Sequence, residues 1–365
     1  MDPVKGPPLG DWLSNKSTRR QSDSRPEAPR HVRTEALTPR SAAAWPISHG
    51  VLASLQRSTA LTQNAAWGYA YGRSDRILTA ARSAAGRHWN FNAPADAVET
   101  ILREVIEGEL TDATRRSVVA ALAQHVPRTL DRSLPRSILQ LYPRAMGVLG
   151  NFLDSGPSYD ADLFAKDIRF ICGASAPAGA QSVDVLFSSS PLAQLGRLRR
   201  GAGTTGRLLV AGDARRAANF LTSGGLRSWL QIHTDTRDIS EFNPQGWDRC
   251  YHRIADLLRA RSHMAGMLGI SWFYDPQLRE ISPRLSYLQD GPLQNGAFVV
   301  RLAASPLDAE RAGAASPTRR RLIESGAYTP VCHALFWPRR DLLRWAGRVE
   351  RETFEPKSLR HADAA

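Results

Sequence analysis

The 365-residue chain has only three cysteines, Cys172, Cys250 and Cys332, far apart and odd in number. That excludes a disulfide framework and fits reduced thiols in a cytosol, small core residues first of all. No run approaches the roughly eighteen uninterrupted apolar residues of a membrane span, so no membrane partner is expected. The N-terminus lacks an apolar stretch followed by a small-residue cleavage site, so a cytoplasmic, bacterial type of protein is expected. Also missing are a glycine-rich loop ending in Lys-Ser or Lys-Thr, His-Glu-x-x-His, Cys-x-x-Cys and Gly-x-Ser-x-Gly. P-loop nucleotidases, metallohydrolases and serine hydrolases lose weight accordingly, and no metal is expected.

What the chain has in excess is positive charge. Its net charge of +13 is carried mostly by arginine, while a hydrophobic fraction of 42% suffices for a sizeable core. Arginine suits planar contact with phosphate or carboxylate, so an anionic small-molecule ligand is expected, and nucleic acid on a basic surface is a second option. High-GC coding bias gives the same composition without any partner.

Residues 1–45 are rich in Pro, Ser and Arg, carry five carboxylates and have no apolar period. They cannot bury enough surface to offset chain entropy and read as a disordered basic tail. Residues 46–155 read as helical. Val98, Ile101, Leu102, Val105 and Ile106 share one face of a helix ending at Gly108, and a second helix from Asp112 buries Val118, Val119, Leu122 and Val126. Such a hairpin is commonly structural; with Arg115, Arg116 and Gln124 on its polar face it could also enter a DNA groove. Asp154, Ser155, Gly156 and Pro157 mark a boundary.

From 156 to 350 the period changes, and a C-terminal tail is expected over 351–365. Strand-like runs occur at 168–172, 183–187, 207–211, 228–233, 268–274, 297–302 and 332–337. A helix capped by Asn243, with Pro244 at its first position, buries Tyr251, Ile254, Ala255 and Leu258. Shorter helices are expected at 283–288 and 317–325. The fold class is therefore α+β, a mixed β-sheet flanked by helices, with a helical N-terminal part.

Four segments carry candidate chemistry. The first is the loop 197–206, where glycines free backbone N–H groups and Arg199 and Arg200 add donors for a phosphate. The second leaves a strand end at His233-Thr234-Asp235-Thr236-Arg237, where His233 could act as general base with Asp235 fixing its tautomer. A histidine that merely caps a loop fits as well. The third is the aromatic stretch 269–276 with the turn after it, in which Trp272, Tyr274, Asp275 and Arg284 could wall a ligand or simply pack. Trp272 and Tyr274 are expected on one strand face. The fourth is the basic stretch 301–351, with ten arginines against five carboxylates. There Trp337 and Trp345 could stack bases, and Arg319, Arg320 and Arg321 are expected on an exposed helical turn.

The order of elements over residues 160–345 resembles the GNAT-type acyltransferase fold, in which a sheet is followed by a cofactor-side helix, a fifth strand, a short helix and two closing strands. The resemblance implies an acyl-CoA or other acyl thioester donor. In that family a loop of the type Gln/Arg-x-x-Gly-x-Gly/Ala holds the coenzyme A pyrophosphate, and Arg200, Gly201 and Gly203 are its counterparts. A tyrosine on the helix after the fifth strand often serves as general acid, and Tyr287 stands there. The leading expectation is therefore acyl transfer from a thioester to an amine. The alternatives are a non-enzymatic nucleic-acid or regulatory binding protein using the helical hairpin and the basic C-terminal face, or an interaction protein without chemistry.

Overall fold

The structure is a computed structural model that describes residues 64–87, 90–155, 158–186, 191–234, 237, 239–302 and 304–354. The expected tail over 1–45 lies outside the described residues.

Among the described residues the first helix is α1 (Ala65–Gly72), whose cap Asn64 accepts a hydrogen bond from the Ala66 amide. Next come α2 (Ser74–Arg87), α3 (Ala93–Leu102) and α4 (Asp112–Ala123), the last capped by Thr111. Every residue of α4 from Ser117 to Ala123 is buried, so it is the central rod of this part. After α5 (Tyr142–Ser155) comes α6 (Ala161–Ile171), which packs on α2, α3 and α4 and leads into the sheet.

The sheet has six strands, β1 (Ser175–Pro177), β2 (Gln181–Asp184), β3 (Leu230–Thr234), β4 (Gly266–Ser271), β5 (Phe298–Arg301) and β6 (His333–Pro338), in the order β1-β2-β3-β4-β6-β5. Only β3 and β4 are parallel. Between β2 and β3 stand α7 (Pro191–Val210) and α8 (Ala214–Thr222), and the crossover from β3 to β4 is α9 (Pro244–Ala260). Short helical turns and α10 (Tyr287–Gln294) follow β4; α11 (Pro306–Ala314) and α12 (Pro317–Glu324) separate β5 from β6. The last described helix is α13 (Arg339–Phe354), so the expected C-terminal tail begins inside a helix.

The period of two along β6 divides the core. Leu335 and Trp337 join the main apolar cluster with Met267, Tyr251, Ile254 and Trp345, while Ala334 and Phe336 join a second cluster with Phe298, Val300, Phe220 and Trp229. The main cluster runs unbroken from Ala66 to Ala346, with members on both sides of the expected boundary near residue 155.

Several expected strands are helical. Residues 168–172 form the end of α6, where Phe164, Ala165, Ile168 and Ile171 recur at helical spacing and Asp160 caps the start by accepting from the Leu163 amide. Residues 207–211 close α7: Leu208 is buried and its neighbours Leu209 and Val210 are exposed, which no half-buried strand would show. The aromatic strand stops at Ser271, whose hydroxyl accepts from the Phe273 amide and starts a tight 3-10 turn over Trp272–Tyr274. Trp272 and Tyr274 therefore do not share a strand face. They enter different clusters, Trp272 with Leu278 and Ala312, Tyr274 with the main core.

Candidate functional site

The loops that leave β3 and β4 emerge at one end of the parallel pair among the described strands, the position where open α/β sheets hold their ligands. A pocket of about 80 Å³ opens beside the loop after β3. Its apolar wall is Leu141, Ala145, Val148, Leu149 and Phe170, from α5, α6 and the residue preceding α5. Its polar lining is Arg144, Lys166, Arg237, Asp167 and Glu241, with Gln181 and Ser182 on β2. The space suits a phosphate- or carboxylate-sized group.

Backbone restrictions build this end of the sheet. Asn243 caps α9 by accepting from the Gly246 amide at 2.8 Å. A Cβ on Gly246 would stand 2.0 Å from the Glu241 carbonyl oxygen, so only glycine lets the loop fold this tightly under the helix. Gly179, at φ +109°, turns the β1–β2 hairpin, and a side chain there would meet the Arg253 guanidinium at 2.6 Å. Arg253 in turn donates to the Ala178 carbonyl at 3.0 Å.

The charges of the pocket are ordered by one another. Asp167 is buried and pairs with Arg237 at 2.8 Å, and it also accepts from the Tyr159 hydroxyl at 2.5 Å. Glu241 bridges Arg144 at 3.2 Å and Arg249 at 3.0 Å. Burial lowers the pKa of Arg253 beside them. Asp167, Arg237 and Glu241 are largely buried, and removing such charges from water is costly, which stability alone rarely justifies. Together with the pocket, that cost marks a candidate site.

Of the four segments with candidate chemistry, the one leaving β3 reaches this pocket through Arg237, while His233, Tyr287, Trp272, Tyr274, Asp275, Arg284 and the α7 residues do not line it. The anticipated glycine loop is the interior of α7, where backbone N–H groups serve the helix. Arg199 is exposed on it, Arg200 and Gly203 are half-buried, and Gly201 packs where a Cβ would meet Leu226 at 2.4 Å. These residues form no anion cradle, because helix formers on both sides of the glycines extend the helix through them. His233 is engaged inside the fold: its Nε2 lies 3.2 Å from Asp184, whose other oxygen takes Arg169 at 2.7 Å, and its ring sits 4.7 Å from Phe91. Asp235 lies outside the described residues.

The proposed ligand wall is packing. Trp272 is buried under the Arg319 guanidinium, 5.1 Å from the ring centre. Buried Asp275 accepts from the Val331 amide at 3.1 Å and the Tyr328 hydroxyl at 3.3 Å. Tyr274 reaches Gln181, whose Oε1 also accepts from Cys250 Sγ at 3.4 Å, and Arg284 is exposed on a 3-10 turn. Ser282 does not cap that turn; its hydroxyl accepts from Arg319, which is buried and not on an exposed face. Trp337 and Trp345 are likewise core residues, unavailable to stack bases, and the second half of α4, from Ser117 to Ala123, is buried.

Tyr287, at the start of α10, is half-buried, and its hydroxyl is buried without a hydrogen-bond partner among the described residues. Burial raises its pKa, so the phenol stays protonated at neutral pH. Its ring contacts Trp247, with centroids 6.5 Å apart, and Trp247 contacts Phe242, the neighbour of pocket residue Glu241. The Trp247 indole N–H and the Tyr251 hydroxyl are also buried without a hydrogen-bond partner among the described residues. Burial pushes the Cys172 thiol up to about 11 and those of Cys250 and Cys332 up to about 12, so none is a ready thiolate. Comparison with protein-family models, curated proteins and solved structures gives no match.

Proposed function

We propose that the chain is a group-transfer enzyme that moves an acyl group from a thioester to an amine. The observation that carries the reading is the succession around α9: a parallel pair β3/β4 joined by a capped helix, then short helices, then the antiparallel pair β5/β6. That is the order of elements in the GNAT-type resemblance. The site for the donor's anionic group moves from the α7 arginines to the pocket beside α9, where Arg144, Lys166 and Arg237 supply donors suited to phosphate or carboxylate. The remainder of a donor as large as coenzyme A would lie outside so small a pocket.

The chemistry asks little of the protein beyond positioning and one proton. The amine nitrogen attacks the thioester carbonyl carbon, the C–S bond breaks, and the leaving thiolate takes the proton of the Tyr287 hydroxyl. The phenol is reprotonated by the proton shed from the amine, through solvent. A buried, protonated and unpartnered tyrosine suits that role.

The test is calorimetric and kinetic. The full chain is titrated with acetyl-CoA, and thiol release is followed with a panel of amines. Tyr287→Phe should slow turnover by about a hundredfold or more with little change in melting temperature. Arg144→Ala with Lys166→Ala should instead raise the donor KM by roughly tenfold or more. No heat of binding and no thiol release with any acyl-CoA would overturn the proposal.

A further inference from the structure

The hairpin of α7 and α8 combines a run of arginines with exposed aliphatic side chains. Between Pro191 and Leu230 the sequence carries Arg197, Arg199, Arg200, Arg207, Arg215, Arg216 and Arg227 against Asp213 alone. The same hairpin exposes large aliphatic side chains. Val210 is 92% exposed and Leu209 54%, both at the tip where α7 ends, and Leu221 and Leu226 are exposed beyond it. The buried side of the hairpin explains its fold: Leu208, Ala217 and Phe220 pack with Trp229, Phe298 and Phe336 on the sheet. Nothing in that packing calls for bare aliphatics at the tip.

From this we infer that the α7–α8 hairpin is a docking surface for an anionic lipid bilayer, with Leu209 and Val210 entering the headgroup region and the arginines meeting lipid phosphates. Surface-lying elements are recognised by this pairing of exposed apolar residues with a basic flank. Among the described residues no helix is long and apolar enough to cross a membrane, so the contact is superficial. A second copy of the chain fits poorly, because a two-fold contact would face like charges across the interface. Nucleic acid uses the charge but not the aliphatics, and the hairpin's aromatic rings, Phe220 and Trp229, are buried and cannot stack on bases.

The experiment is co-sedimentation of the full chain with sucrose-loaded vesicles of phosphatidylcholine alone or with one quarter phosphatidylserine. Binding to the anionic vesicles and not to the neutral ones is expected. Each arginine removed from the tip should weaken it by roughly fivefold, so Arg215→Ala with Arg216→Ala gives a loss of about twentyfold or more. Leu209→Asp with Val210→Asp should abolish sedimentation while circular dichroism and melting temperature stay unchanged, since both side chains are exposed. Equal binding to neutral vesicles, binding insensitive to the aspartate substitutions, or retention of mixed-sequence duplex DNA with no vesicle binding would each overturn the inference.

Discussion

One sheet carries two unlike surfaces. Under α8, the end made by β4, β6 and β5 is aromatic and aliphatic throughout: Phe220 stacks near Trp229, and Phe336 meets both at about right angles. At the opposite end, beside α6, the strands face charges: Asp184 between Arg169 and His233, and Asp167 between Arg237 and Tyr159. The first surface is what burial of apolar area produces by itself. The second is costly to bury and holds only while every partner is present. Where one sheet is free to be dry at both ends and is not, the wet end is the place to look for function.

The sharpest break of this comparison lies at the dry end. Phe336 contacts Phe220, Trp229 and Phe298, so Phe336→Ala should leave a cavity and cost about 4 kcal/mol by denaturant unfolding. Next comes the wet end. Arg237→Ala removes the counter-charge of buried Asp167, leaving the Tyr159 hydroxyl as a neutral donor, and should cost roughly 3 kcal/mol, whereas Asp167→Leu with Arg237→Met should unfold closer to the native midpoint. If the double replacement is the worse of the two, the pair is a stabilising element and the contrast between the ends fails.

A third, smaller effect depends on pH. Burial alone would raise the pKa of Asp184, but the His233 and Arg169 charges and their hydrogen bonds outweigh it and hold the carboxyl at about 2. A carboxyl depressed in the folded state adds stability that is complete above its unfolded pKa near 4 and vanishes as pH falls through 2. Its contribution is about 2 kcal/mol. Asp184→Asn should therefore lower the melting temperature at pH 6 and converge with the native chain near pH 2. Parallel curves across that range would mean the carboxylate draws nothing from its partners.

The dry end was partly legible in the sequence, and the wet pocket was not. Strands β3, β5 and β6 follow local apolar runs, and the Asn243-Pro244 start of α9 is a local signal with a local cause. The misread stretches, 168–172 and 207–211, are apolar runs too short to separate strand from helix. What decides them lies upstream, in the Asp160 cap for one and in the length of α7 for the other. The pocket gathers Arg144, Lys166, Gln181, Arg237 and Glu241 from elements far apart in sequence. No spacing rule joins such residues. The nearest signal is the charged segment leaving β3, whose histidine carries a local sequence cue for base chemistry and whose Arg237 does not.

The smallest effect is expected between the two ends, in the aromatic layer behind the pocket. Tyr251 is wholly buried, its ring packed on Trp247, Trp337 and Trp345, and its hydroxyl has no partner among the described residues. An unpaired buried hydroxyl costs stability, so Tyr251→Phe should be neutral or stabilising, by at most about 1 kcal/mol. Tyr274 is the internal control: equally buried, but its hydroxyl meets Gln181, so Tyr274→Phe should destabilise by about 1 kcal/mol. The two substitutions remove the same atom from neighbouring rings, so a difference in sign isolates the hydrogen bond from the packing. If Tyr251→Phe proves as costly as Tyr274→Phe, the hydroxyl has a partner, an ordered water or a bound group shared with the Trp247 indole and Tyr287. The layer behind the pocket would then belong to the wet end of the sheet, and the division between the two surfaces would have to be redrawn through α9.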